Sequence, residues 1–272
     1  MKIIDESDFQ KENEQKSSSS ELKEEKKKSD IDYWPILEIP SMFKLYPKGT
    51  KLFGRKLDVL EIKKLAQRNE YNENFIVKDI FSTVFKGINP EDIYREDKLY
   101  LLLWLRANTF NEKGFSVDFK CTKCNELSTY DFSLDNLNVK FFNDKFFENN
   151  IVKMRNGDSV EVKYLTVKEE EKLEAAEEEF AKMKINKDLL ETAASIKTIN
   201  NENIPLINKY HYLVNLKPST DCMKLEAVIN KYDFGVRPIL NVKCNNCGGV
   251  GPCGVTFRKS FLTPEYRLSE DS

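Results

Sequence analysis

The stretches Phe115-Ser-Val-Asp-Phe-Lys-Cys-Thr-Lys-Cys124 and Ile239-Leu-Asn-Val-Lys-Cys-Asn-Asn-Cys247 decide how this chain is read. In each, alternating side chains lead into a Cys-x-x-Cys pair, the pattern of a half-buried strand entering a tight turn. Thiolates at positions i and i+3 of such a turn supply two corners of a zinc tetrahedron, about 2.3 Å from the metal, and two turns complete it. The residues that follow, Asn125 and Gly248, are types that accept left-handed backbone, which lets amide groups turn toward the sulfurs. A further alternating strand is expected after each turn, over 127–132 and 255–257. Cys121, Cys124, Cys244 and Cys247 are therefore expected to share one structural zinc ion per chain. Their separation far exceeds that of a contiguous zinc ribbon, so a large insertion must lie between them.

Two other readings stand beside this one: four ordinary cysteines, or a redox Cys-x-x-Cys at either pair. Cys253 follows the glycine-rich run Gly248-Gly-Val-Gly-Pro252, read as a flexible loop. It is expected to be a bystander, with replacement of one ligand as the alternative. Cys222 reads as a helix residue.

Between the knuckles, 151–154 and 160–164 flank Asn156-Gly157, a dipeptide that tolerates positive φ in a hairpin turn. Thr166-Val-Lys-Glu169 has capping-box spacing and leads into Leu173, Ala176, Phe180 and Met183, at helical intervals beneath a carboxylate face. Leu189, Ala193 and Ile196 repeat that period, and two more helices are expected over 206–213 and 221–229. Upstream, Asp58-Val-Leu-Glu61 opens the first of three helices, with a second near 74–85. The third, over 96–108, carries Leu99, Leu102, Leu103 and Leu105 around Trp104. Pro35, Pro40 and Pro47 break the preceding segment.

The expected fold class is α+β. A charged tail over 1–32 has too little apolar surface to order, and an extended arm spans 33–57. A helical unit follows at 58–112. A zinc-ribbon-like pair of β-hairpins is split between 113–134 and 236–262, with a β-hairpin and helical insertion at 135–235 and a flexible C-terminus at 263–272. Within the arm, Trp34, Phe43, Tyr46 and Phe53 are the candidate partner-binding residues, since an apolar extended strip either lies over the chain's own core or is added to a partner.

Composition limits the function classes. With 43 basic and 45 acidic residues the chain is nearly neutral, so no global field draws it to nucleic acid. No apolar run approaches the roughly 18–20 residues needed to cross a bilayer, and the N-terminus lacks the apolar core of a signal peptide. The cytoplasm is the expected compartment, where clustered cysteines favour metal over disulfides. His211 is the only histidine, too few for a His-rich metal centre or a convincing triad. The carboxylates at 169–171 and 177–179 read as a solvated helix face, and the glycine run lacks the Lys-Ser/Thr ending of a phosphate loop. No catalytic residue and no small-molecule substrate are expected.

Several short pieces together resemble the T4-like phage baseplate protein family, across most of 38–263. They are Ile39-Pro-Ser41, Tyr46-Pro-Lys-Gly49, Leu57 with the capped helix, 97–106 leading to the first knuckle, Asp233-Phe-Gly235, the second knuckle and Phe261-Leu-Thr-Pro264. The charged tail and the Cys253 loop depart from the pattern. The resemblance implies a non-enzymatic baseplate hub or hub-assembly protein of a contractile tail, in contact with other hub and tail proteins during assembly in the host cytoplasm or in the virion. The rival class is a nucleic-acid-binding zinc ribbon, motivated by Lys120, Lys123, Lys243 and Arg258 beside the knuckles.

Overall fold

The computed structural model describes residues 32–67, 73–111, 113–180 and 185–255. The charged tail short of Asp32, together with Met183, Phe257, Arg258, Phe261-Leu-Thr-Pro264 and the C-terminus at 263–272, lies outside these residues. The architecture is mixed α+β, with eight α-helices and small antiparallel sheets among the described residues.

The segment 33–57 lies over the chain's own first core. Its two strands, β1 (Trp34–Ile36) and β2 (Leu52–Gly54), pair antiparallel with β3 (Phe85–Lys86) in the order β1-β2-β3. Ile36, Ile39, Leu52 and Leu57 are buried in the first hydrophobic core. The prolines break helix here, as expected, but they leave alternate apolar residues free to cover the chain's own helices. Gly54 is what lets the sheet close down, because a Cβ there would lie 2.7 Å from the Trp104 ring.

Two helices follow, α1 (Val59–Ala66) and α2 (Glu73–Val84). Asp58 caps α1 as its spacing predicts: it accepts from the Glu61 N–H at 2.8 Å, and the Glu61 carboxylate accepts from the Asp58 N–H at 2.9 Å. The same carboxylate receives a bidentate pair from Arg55 at 2.8 and 2.6 Å and the Thr83 hydroxyl at 2.6 Å, tying β2, α1 and α2 together. Burial works against this charge, but Arg55, Thr83 and the Asp58 amide hold it below the usual carboxylate range. Helix α3 (Arg95–Phe110) buries Leu101, Leu102, Leu103 and Leu105 and completes the first core.

The chain then forms the hairpin β4 (Gly114–Lys120) and β5 (Leu127–Ser133). It leaves through β6 (Asn138–Lys140) and makes α4 (Phe146–Asn149), β7 (Ile151–Lys153), β8 (Ser159–Val162), α5 (Val167–Phe180) and α6 (Lys187–Ala194). The sequence period carried helix through Ile196, yet residues Ile196–Ile199 form β9 on the free edge of β8. The run Ile-Lys-Thr-Ile is rich in β-branched residues, which fit a pleated surface, and Ser195 ends α6 just before it. Helices α7 (Leu206–Val214) and α8 (Thr220–Lys231) follow, and β10 (Gly235–Arg237) returns antiparallel to β6.

That short pairing closes the insertion at its neck. A second hydrophobic core, built from residues between Phe142 and Phe234, fills it. The final hairpin is β11 (Ile239–Lys243) with β12 (Val250–Gly254). The glycine-rich run is thus no flexible loop, and the last described strand begins five residues earlier than the sequence suggests. Gly251 and Cys253 face inward along β12 and are buried, while Val250, Pro252 and Gly254 face outward.

Candidate metal centre

Each knuckle is built by the same backbone device. In the first, the Cys121 N–H donates to Glu126 O at 2.8 Å and the Asn125 N–H donates to Cys121 O at 2.9 Å. In the second, the Cys244 N–H donates to Gly249 O at 2.8 Å and the Gly248 N–H donates to Cys244 O at 2.9 Å. Asn125 and Gly248 take φ of 59° and 68°, the left-handed conformation their residue types allow. Even the strand register repeats: Lys120 pairs with Leu127 as Lys243 pairs with Val250, the second pair being the first shifted by 123 positions. The two hairpins are the same unit used twice.

Folding brings the units face to face. Cys121 Sγ lies 3.6 Å from Cys247 Sγ, Cys124 Sγ lies 3.7 Å from Cys244 Sγ, and all four sulfurs fall within 4.8 Å of one another. A zinc–thiolate bond of about 2.3 Å implies tetrahedral sulfur–sulfur edges of about 3.8 Å, so the donor set fits that ion in type, number and spacing. A disulfide would need about 2.05 Å, and all four are free thiols. The electrostatics also point to a cation. The amide N–H groups of Cys124 and Lys123 pull the Cys121 thiol down to about 6. The Glu126 amide favours the Cys124 thiolate too, but burial and the crowded sulfurs outweigh it and push that thiol up to about 11. Four anionic sulfurs in this volume need positive charge to coexist.

Side chains outside the sulfur set hold the hairpins in place. The Asn245 N–H donates to the Tyr130 hydroxyl at 3.0 Å, crossing from one knuckle to the opposite strand. Phe119 packs against Tyr130, and a Cβ on Gly251 would stand 3.4 Å from the Phe119 ring. At Gly249 a Cβ would lie 2.7 Å from the Lys123 stem and 3.3 Å from Cys247 Sγ, so this glycine leaves room for both. Nothing in the sequence singles out Tyr130 or Gly249, because their partners come from the other end of the chain. Cys253 sits below the knuckles, opposite Leu240 in the ladder, with its sulfur 3.8 Å from Asp118 O. It is outside the four-sulfur group.

The other sequence candidates are dispersed. Trp34 is 41% exposed on β1, whereas Phe43, Tyr46 and Phe53 are half-buried. Tyr46 is engaged inside the chain: its hydroxyl donates to Asp97 at 2.9 Å and accepts from the Tyr94 N–H at 3.1 Å. Asp97 is fully buried and also accepts from the Ser41 N–H at 2.8 Å. Gly235, at φ 109°, lies against the adjacent Glu96 backbone. Ser41, Tyr46, Asp97 and Gly235, from four separate motif pieces, therefore converge at the start of α3. His211 is exposed on α7, Cys222 is half-buried on α8, and the α5 carboxylates face outward or pair with lysines such as Lys98 and Lys78. Lys120, Lys123 and Lys243 are exposed.

No helix among the described residues is long and apolar enough to cross a membrane. A family model described as T4 bacteriophage base plate protein matches residues 49–251, both knuckles included. Comparisons with curated proteins and with solved structures gave no match.

Proposed function

Because the chain belongs to the T4 bacteriophage base plate protein family, we propose that it is a non-enzymatic hub or hub-assembly component of a contractile tail. The observation that carries the reading is the closed four-thiolate site within the family-matched region. Cys121, Cys124, Cys244 and Cys247 are the ligands we assign to one structural zinc ion per chain. A zinc ion held by these four thiolates would have its coordination filled by protein, so it would clamp and not catalyse. The clamp joins strands that flank the whole insertion, and metal binding of this type contributes on the order of 10 kcal/mol to folding.

The partner surface we assign lies on the exposed apolar residues of the segment 33–57: Trp34, Leu37 at 85% exposure, and Met42. Phe43, Tyr46 and Phe53 stand half-buried beside it, and the Tyr46 hydroxyl also bonds Asp97 and Tyr94. The test is affinity purification of the tagged chain from infected cells, with elemental analysis of the recovered complex. Tail proteins and about one zinc per chain are expected, and a lone chain without tail proteins would sink the reading. Salt-sensitive retention on DNA or RNA without tail proteins would favour the nucleic-acid-binding ribbon instead.

A further inference from the structure

The sulfur contacts at 3.6 and 3.7 Å both join one knuckle to the other: Cys121 to Cys247 and Cys124 to Cys244. Within the first knuckle, the Lys123 N–H already donates to Cys121 Sγ at 3.4 Å, and the turn is closed by the Asn125 bond to Cys121 O. A bridge inside a knuckle pulls against that turn. A bridge across needs each pair only to close to about 2.05 Å along the direction in which the hairpins already face each other.

We propose that these four cysteines have a second, covalent state: a two-disulfide clasp, Cys121–Cys247 and Cys124–Cys244, formed when the protein meets peroxide. Cys247 is the exposed member of the set and the point of attack. Its thiolate displaces hydroxide from hydrogen peroxide and becomes a sulfenic acid. The Cys121 thiolate then attacks that sulfur, forming the S–S bond and expelling a second hydroxide. Protons from solvent convert both hydroxides to water, so two thiolates are oxidised by two electrons and one peroxide is reduced. The Cys124–Cys244 pair consumes a second peroxide in the same way, and any divalent metal leaves as the free ion.

The consequence is a joint that changes chemistry without changing place. The ends that a cation holds under reducing conditions are held by disulfides under oxidising ones, so the neck of the insertion stays anchored. The proposal rests on the baseplate reading only for the occasion, since a tail component leaves the reducing cell with the particle. The pairing itself follows from the sulfur positions.

The experiment uses the full chain carrying Cys222→Ser and Cys253→Ser, stripped with EDTA, treated with hydrogen peroxide and digested with trypsin without reductant. Cleavage after Lys120, Lys123, Lys140, Lys243 and Arg258 places Cys121, Cys124 and the Cys244/Cys247 pair on three peptides. The expected product is one covalent species of all three, with a Tm several degrees above the reduced metal-free chain. Adding Cys124→Ser with Cys244→Ser should preserve a bridge from the Cys121 peptide to the Cys247 peptide. Adding Cys124→Ser with Cys247→Ser should abolish bridging. A Cys121–Cys124 linkage with an internal loop at Cys244–Cys247, or sulfinic and sulfonic acids without bridges, would overturn the proposal. Zinc content measured before stripping judges the metal assignment separately, because cross-knuckle bridges can form in a chain that never held zinc.

Discussion

Cys124 and Cys253 are both cysteines of this small ribbon, yet their replacement should have opposite results. Cys124→Ser removes one of four sulfurs and leaves three crowded thiols without a closed tetrahedron. Zinc per chain is expected to fall from about one toward zero, with a Tm loss of more than about 10 °C. Cys253→Ser should keep its zinc and cost about 1 kcal/mol for a buried hydroxyl. Elemental analysis and thermal melts of the two variants check this pair. A second residue-scale effect sits at the start of α3. Burial pushes the Glu96 carboxyl up to about 7 against an ordinary 4.5, and Asp97 up to about 6 despite its bonds from Ser41 and Tyr46. Arg95, Asp97 and Glu170 are the charged groups that act on Glu96, whose Oε2 is buried without a hydrogen-bond partner. A raised native value means that the folded state binds the proton more tightly than the unfolded one. The stabilisation is therefore present below 4.5 and is lost as pH rises through about 7. Melts of wild type and Glu96→Gln from pH 4.5 to 8 should diverge, with the wild type losing ground as pH rises. Parallel curves would contradict it.

Among the elements, the first helix was the most legible, because its cap is written in four consecutive residues. Asp58→Ala should cost about 1 kcal/mol in chemical denaturation. Glu61→Ala should cost more, about 3–5 kcal/mol, since it strands the buried Arg55 guanidinium as well as the cap. Gly87 offers a harsher test: its φ is 101° and a Cβ would lie 1.9 Å from Lys51 O. Gly87→Ala should displace β3 from β2 and leave little soluble protein, read out by expression and by circular dichroism. The strands were less legible. β4 and β11 have alternation that any half-buried strand shows, but β9 depends on the vacant edge of β8, and β6 and β10 are three-residue pieces that pair only because the insertion must close. The course of segment 33–57 was not legible, because prolines and aromatics describe stickiness and not its target.

For the whole molecule, the division into two cores sets what metal removal does. The second core lies between the knuckles in sequence, and the first is drawn from both sides of it with Val167 added from within. Chelation with reductant should expose the amides of β4, β5, β11 and β12 to hydrogen exchange first, while Val160, Val162, Ala193 and Ile196 keep their protection. Uniform loss across both cores would argue against a local clamp. Local sequence alone determined the two knuckles, because thiolate spacing and left-handed residues after the second cysteine are properties of a few neighbouring positions. It likewise determined the capped start of the first helix, whose signal lies within one turn. What only the tertiary structure decided were contacts between distant segments: Tyr130 reaching Asn245, Ser41 and Tyr46 meeting Asp97, and the burial of the segment 33–57. Those depend on which surfaces remain uncovered after the local elements form, and no local pattern of residues carries that information.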